Sequence, residues 1–411
     1  MSATTVAGML EIVSPAFADR SQVAAAVEMG LVTDRDDFDA LEGEWTALFD
    51  RAGNSSQLFQ SHAWLWHWTR HFLNGSKVGM AIVTVRRNGR LVLVWPLARC
   101  RRNGVTRLTW MGEPVSQYGD VLVEPGAEAL PLMRQAWAFI REHVPADIIN
   151  LRKTRVDAQV APLLAEIGAQ VACRDSAPFA RLSNEAGFER YAEQRWSAKT
   201  RKNRRRQMRR LEEVGQVATE RHSGHILAAD RARQAIEQKR AWLDRRGLLS
   251  PALADPAYES FFATVAADSG RHATGCRVSV LTAGGRPAAY EIAIRCKERV
   301  AVHIIAYDPE YERGGAGAAL MEASIRQAFE DGATCFDLLG PGGGYKDEWA
   351  DGAVEIADWS VALSLKGRVY ERGYLKLVRP RLKAMASCLP GGLRKLAAGA
   401  LRPQPSAGPS T

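Results

Sequence analysis

The chain lacks any cysteine pair at metal-ligand or redox spacing. Its cysteines (Cys100, Cys173, Cys276, Cys296, Cys335, Cys388) are scattered and form no C-x-x-C. That excludes a zinc ribbon or a thioredoxin-like motif, so buried thiols in a reducing cytoplasm and no metal are expected. No apolar run approaches the roughly 18–20 residues that span a bilayer. The first residues lack a basic stretch followed by a continuous apolar one. Residues 1–33 are therefore expected to be a disordered lead-in and not a secretion signal.

Acidic residues are missing from two stretches. Residues 195–210 hold nine Lys/Arg and no acid, and residues 365–411 hold ten Lys/Arg and one Glu. Each stretch carries +9 and so does the whole chain, which leaves the remainder net negative by nine. An acidic body with two basic patches implies directed contact with an anion: phosphates, an anionic membrane surface or an anionic polymer. Arg201, Arg204 and Arg205 are the expected anion contacts. DNA is not expected as a partner, because no recognisable DNA-reading module surrounds the basic helix. The protein is expected in the cytoplasm, with peripheral contact to the inner membrane through its basic segments.

What is present is an ordinary globular composition, 46% hydrophobic and 25% charged over 411 residues. It suffices for two domains with a sizeable core. Helical spacing at 36–49 is followed by a hairpin at 79–85 and 91–97 around Asn88-Gly89, then strands, a helix at 128–142 and a strand at 147–151. After a linker at 183–187, a helix is expected over 188–214, further helices at 226–245 and 258–267, and a hairpin at 287–295 and 299–307. Both halves share a helix–hairpin–helix–strand rhythm. The chain therefore reads as α/β with mixed (α+β) sheets: a domain at 34–183, a second at 184–365, and a basic extension at 366–411 with a disordered end.

The most informative stretch is YDPEYERGGAGAALMEASIRQAFEDGATCFDLLGPGGGYKDEW, residues 307–349. A β-branched strand runs into a glycine turn, a helix, Gly332 as its stop, and another strand. Strand, glycine turn and helix present free N–H groups at the positive end of a helix, a geometry that suits a pyrophosphate. A second glycine segment then delivers Tyr345 and Lys346.

This unit resembles the acyl-CoA-binding core of the GNAT N-acetyltransferases. With LFQSHAWLWHW at 58–68, AKTRKNRRRQMRRLEEVG at 198–215, YDPEYERGGAG at 307–317 and FDLLGPGGGYKDEW at 336–349, it is similar to the cellulose-biosynthesis-associated CelD/BcsL type. The resemblance implies two tandem GNAT-like domains related to the Fem-type arrangement. It implies acetyl-CoA or another acyl-CoA as co-substrate, and direct transfer to an amine or hydroxyl on a small molecule, a sugar or an exopolysaccharide precursor. Tyr307, Arg313, Gly314, Gly315, Ala316, Gly317 and Ala318 become the expected cofactor contacts, through main chain more than side chain. Gln117, Tyr118, Asp120, Asp337 and Trp349 become the expected acceptor cleft. Two rivals remain: a Fem-type ligase that uses aminoacyl-tRNA, and a non-catalytic anion-binding protein on a degenerate acyltransferase fold.

Acyl transfer from a thioester needs a base for the acceptor, a proton for the leaving thiolate and a donor to the carbonyl. Tyr345 is protonated at neutral pH and is the expected acid. Lys346 is expected to bind an anion or polarise the carbonyl. Glu291 and His303, polar residues in apolar strands, are the candidate bases. An even-length turn at 296–298 would put these two on opposite sheet faces. An odd-length turn or a bulge would put them on one face, where alone they could act together.

Overall fold

Period-two burial along the central strands explains why this chain makes one sheet covered on both faces. The computed structural model describes residues 27–73, 77–182, 187–248, 250–378 and 381. The linker at 183–186 and the end of the basic extension lie outside the described residues. The strands are β1 (Val27–Val32), β2 (Val78–Arg87), β3 (Arg90–Arg102), β4 (Val105–Trp110), β5 (Leu122–Val123), β6 (Ile148–Arg155), β7 (Gln170–Arg181), β8 (Val217–His222), β9 (Cys276–Ala283), β10 (Arg286–Cys296), β11 (Arg299–Tyr307), β12 (Cys335–Asp337) and β13 (Gly352–Ala362). In β2, Ala81, Val83 and Val85 join one core while Met80 and Ile82 join the other.

One mixed sheet runs β1-β2-β3-β4-β6-β13-β7-β12-β11-β10-β9-β8, with β5 paired to β3. Each half repeats a meander followed by a helical crossover to a parallel strand. The first crossover is α4 (Ala129–His143) between β4 and β6, and the second is α11 (Ala316–Glu330) between β11 and β12. The halves then trade their last strands. β13, from the second half, pairs with β6 and β7 of the first, and β7 pairs with β12 of the second. A cut at 183/184 therefore divides the sequence but not the sheet.

On one face, α1 (Arg35–Ala40), α2 (Glu42–Ala52) and α3 (His62–Phe72) share a single core with α8 (Ile226–Arg245) and α10 (Pro256–Ala267). On the other face, α4 and α5 (Ala161–Glu166) cover the first half. There α6 (Gly187–Arg195), α7 (Ala198–Glu212) and α11 cover the second. The remaining helices are α9 (Pro251–Ala254) and α12 (Leu365–Val369). Among the described residues no helix is long and apolar enough to cross a membrane.

Three expectations change. The lead-in to residue 33 is too long, because Val27–Val32 pairs antiparallel with β2. Its alternating Val, Met and Leu find partners that local composition did not advertise. The helix at 188–214 breaks at Trp196-Ser197, where the Ser197 side chain accepts from Thr200 N and caps α7. The long strand β7 carries Asp, Arg and Pro and was missed for that reason.

The two halves are also joined by charge. Asp337 is 1% exposed. It accepts from Tyr118 Oη (2.9 Å), Arg299 Nη1 (2.8 Å) and Leu339 N (2.8 Å). Asp337→Ala should cost about 3–5 kcal/mol, because it strands a largely buried guanidinium. Given the shared sheet, loss should appear as one transition seen alike by tryptophan fluorescence and far-UV circular dichroism. Separate transitions for the two halves would contradict the shared-sheet account.

Candidate active site

At the end of β11, Asp308 caps a 3-10 turn, Pro309–Gly314, and accepts from Glu310 N. Gly315 then adopts φ 65°, ψ 36° and caps α11. A Cβ at Gly315 would lie 2.7 Å from the Gln207 side chain, and one at Gly314 would lie 2.5 Å from Leu211. Both glycines are thus required by the close approach of α7, and Gly315 also by its left-handed backbone. The turn is not an open corner, since α7 lies across it.

What remains open is a cavity of about 270 Å³ beside it. Gly315 and Ala318 line it together with Arg201, Arg204, Arg205 and Gln207, and Glu189 and Glu322 add negative charge. The structure thus joins part of the expected cofactor cradle to the expected anion helix. Arg313 and Gly314 face a separate cavity of about 570 Å³, with Arg210 and Glu310. Ala316 is fully buried in the core. Gly317 packs against the Tyr307 ring, whose hydroxyl donates to Glu312.

The arginines divide by role. The Arg204 guanidinium lies 3.6 Å from the Trp196 ring centre and 3.9 Å from that of Trp349. Its charge is held between two indoles and beside Glu322 (3.9 Å), so it packs as a structural cation while also lining the cavity. The same stacking buries Trp349 at 3% exposure, which removes it from the acceptor cleft. Arg201 donates to the carbonyls of Glu193 and Trp196 at the end of α6. Arg205 is exposed.

β11 and β12 pair only from 299–301 with 335–337, after which β11 continues paired with β10 on its other edge but not with β12. The candidate catalytic groups flank this gap on two faces. Glu291 is fully buried on the α11 face, with Oε1 accepting from Ser324 Oγ (2.6 Å). Burial pushes its carboxyl up to about 7. Tyr345 is half-exposed, and withdrawal of its hydroxyl from solvent, reinforced by Glu291, pushes it up to about 12. It stays protonated at neutral pH.

His303 lies on the opposite face. The hairpin turn is even (Cys296 pairs with Arg299), and a bulge follows, between the Ile292–Ile304 and Ala293–Val302 pairs. His303 is the extra residue. Its ring packs on Phe262 of α10, its Nε2–H donates to Val115 O (2.7 Å), and its Nδ1 lies 3.4 Å from the Tyr258 hydroxyl. Burial pulls its pKa down to about 4. With both nitrogens engaged it is no base at neutral pH, and it does not act with Glu291. The bulge, expected to bring the two together, instead placed His303 beside Ile304 on the α10 face.

Lys346 Nζ donates to Leu339 O (2.9 Å) and Pro341 O (3.0 Å). It clamps the loop that carries Tyr345. Around it the structure gathers Lys153 and Lys239, which the sequence reading missed. Burial first, and then neighbouring cations, bring each of the three down to about 8. Lys153 Nζ donates to Gln117 Oε1 (2.5 Å), and Lys239 Nζ donates to Ile305 O (3.0 Å), where β11 has run past β12. Lys153 (φ 53°) and Leu339 (φ 58°) hold left-handed backbone outside any hairpin turn. Such strain concentrates at functional sites. Of the other expected cleft residues, Gln117 belongs here. Tyr118 and Asp337 are buried against each other, and Asp120 is a structural acceptor. Asp120 takes Gln57 Nε2 and the N–H groups of Val121, Gln159 and Val160, and burial raises it to about 6.

Residues 198–347 match the family model described as acetyltransferase (GNAT) domain. The structure is similar to the crystal structure of FemX, at 11% identity and a TM-score of 0.57, over 84% of this chain and 99% of that one. It is also similar to a conserved protein of unknown function from Bacteroides thetaiotaomicron VPI-5482, at 10% identity and a TM-score of 0.50, over 81% and 100%. No curated protein matches the chain by sequence. The second half therefore contains a stretch that matches a GNAT acetyltransferase domain, within a two-half fold shared with FemX.

Because its folded pKa lies above its ordinary 4.5, Glu291 favours folding fully below that value and loses the benefit as pH rises through about 7. Glu291→Gln should therefore match wild type at pH 4 and exceed it by roughly 3 kcal/mol at pH 8.5 in urea denaturation. Parallel pH curves for the two proteins would contradict the burial of an ionisable carboxyl.

Proposed function

We propose that the protein transfers an acyl group from a coenzyme A thioester to an amine or hydroxyl acceptor. The observation that carries this reading is the juxtaposition at the end of β11. The start of α11 shares a cavity with Arg201 and Arg205, while Glu291 lies close enough to Tyr345 for its charge to hold the phenol protonated. The donor's phosphates take the first and its thioester the second. The acceptor attacks the carbonyl carbon directly: the C–N or C–O bond forms and the C–S bond breaks. Ionised Glu291 takes the acceptor's proton, through a water admitted with substrate, and Tyr345 gives its proton to the leaving thiolate. Lys346 positions Tyr345. The lysines around Gln117 favour an acceptor bearing a carboxylate or phosphate. The CelD/BcsL resemblance supports a sugar or exopolysaccharide precursor and a cytoplasmic protein.

A second reading has its own observation. Lys199, Lys202, Arg205, Arg206 and Arg209 are exposed along α7, and the fold is shared with FemX. A Fem-type ligase using aminoacyl-tRNA would place RNA on that helix and show ribonuclease-sensitive activity.

Acetyl-CoA or a longer acyl-CoA should raise the melting temperature, and RNA should not. The reverse pattern supports the ligase, and silence to both removes the enzymatic reading. With the productive acyl-CoA, Tyr345→Phe should lower kcat about 100-fold with KM little changed. At saturating acceptor kcat should rise with pH through about 7, as Glu291 ionises, while kcat/KM for an anionic acceptor should fall again above about 8, as the lysines lose their charge. Full activity in Tyr345→Phe would refute the assignment.

A further inference from the structure

The first half's helices and the loop after α10 meet at a cluster that acyl transfer does not use. Glu42 begins α2, His62 begins α3, and His272 lies in the loop before β9. We infer that Glu42, His62 and His272 bind a divalent transition-metal ion of the zinc class and so link the two halves of the chain. One donor atom from each residue lies within 4.8 Å of the other two. Glu42 Oε1 and His272 Nδ1 are 3.4 Å apart. That is about the edge of a tetrahedron whose corners sit roughly 2.1 Å from a central zinc ion.

The imidazoles are prepared as ligands. His62 is 2% exposed, and its Nε2–H donates to Phe38 O (3.1 Å). This fixes the tautomer with a bare lone pair on Nδ1, and that buried atom has no hydrogen-bond partner. His272 Nδ1 is likewise buried without a hydrogen bond, and the ring is held flat against Trp66, 3.8 Å between centres. Arg271 pairs with the other carboxylate oxygen, Glu42 Oε2, and orients it. His67 anchors the loop from behind, with Nε2 3.1 Å from His272 O and 3.3 Å from Asp268. Two nitrogens and one oxygen suit zinc, cobalt(II) or nickel(II) better than calcium or magnesium. The buried lone pair of His62 without a donor otherwise costs stability, and an ion would satisfy it while also binding the Glu42–His272 pair.

The test uses the full chain, free of any histidine tag and stripped with chelator. Zinc chloride should bind at one equivalent per chain by calorimetry and raise the melting temperature by several degrees. Cobalt(II) should give the visible absorption of a low-coordinate site. His272→Ala, in a loop, should abolish both while leaving the metal-free melting temperature near wild type. Glu42→Gln should weaken binding at least tenfold. His222→Ala, at the separate surface pair His222–His225, should leave it unchanged. Absence of stoichiometric zinc binding, or binding that survives both His272→Ala and Glu42→Gln, overturns the site.

Discussion

The fold depends on a buried carboxylate. Asp337 ends β12, the short parallel strand after the α11 crossover, and it draws a phenol from the first half and a guanidinium from the second onto one side chain. A second buried guanidinium, Arg155 from β6, lies 4.0 Å away. Removing two arginines and an aspartate from water is tolerated only because each finds opposite charge or a donor. The network forces β12 against β7, and the traded strands β7 and β13 carry the sheet across the junction.

That junction shapes the candidate site. β12 stops where Asp337 is pinned, and β11 runs on with its β12 edge unpaired, so a gap opens in an otherwise continuous sheet. Charge is sorted across it. A protonated phenol and a carboxyl tuned to about 7 occupy the α11 face. Three half-buried lysines and a neutral histidine occupy the α8–α10 face. The sheet keeps a proton acceptor away from the cations that would depress its pKa. It also lets those cations accumulate where an anion can relieve their repulsion.

Much of this was legible in sequence. Asn88-Gly89 fixed its hairpin, the spacing at 226–245 and 316–330 gave helices, and the glycine turn marked the start of α11. Tyr345 and Glu291 could be singled out as candidates because ionisable residues stood out in apolar or glycine-rich surroundings. Lys153 and Lys239 were not, since one lies in a strand reading LRKTR and the other in a charged helix, where a lysine reads as solvated. Trp349 was placed in the acceptor cleft because a tryptophan beside a glycine-rich loop looks like a ligand contact. Only its burial against Arg204 shows otherwise.

Periodicity and turn chemistry act within a few residues of the chain, so the sequence alone determined the helices, the meanders, the two-fold rhythm and the glycine cap. The trade of β7 for β13, the face on which bulged His303 landed, α7 lying across Gly314–Gly315 and the meeting of Glu42, His62 and His272 were decided only by tertiary structure. Each depends on which distant surfaces exclude water together. That choice is made by packing over the whole sheet and leaves no mark in any local pattern.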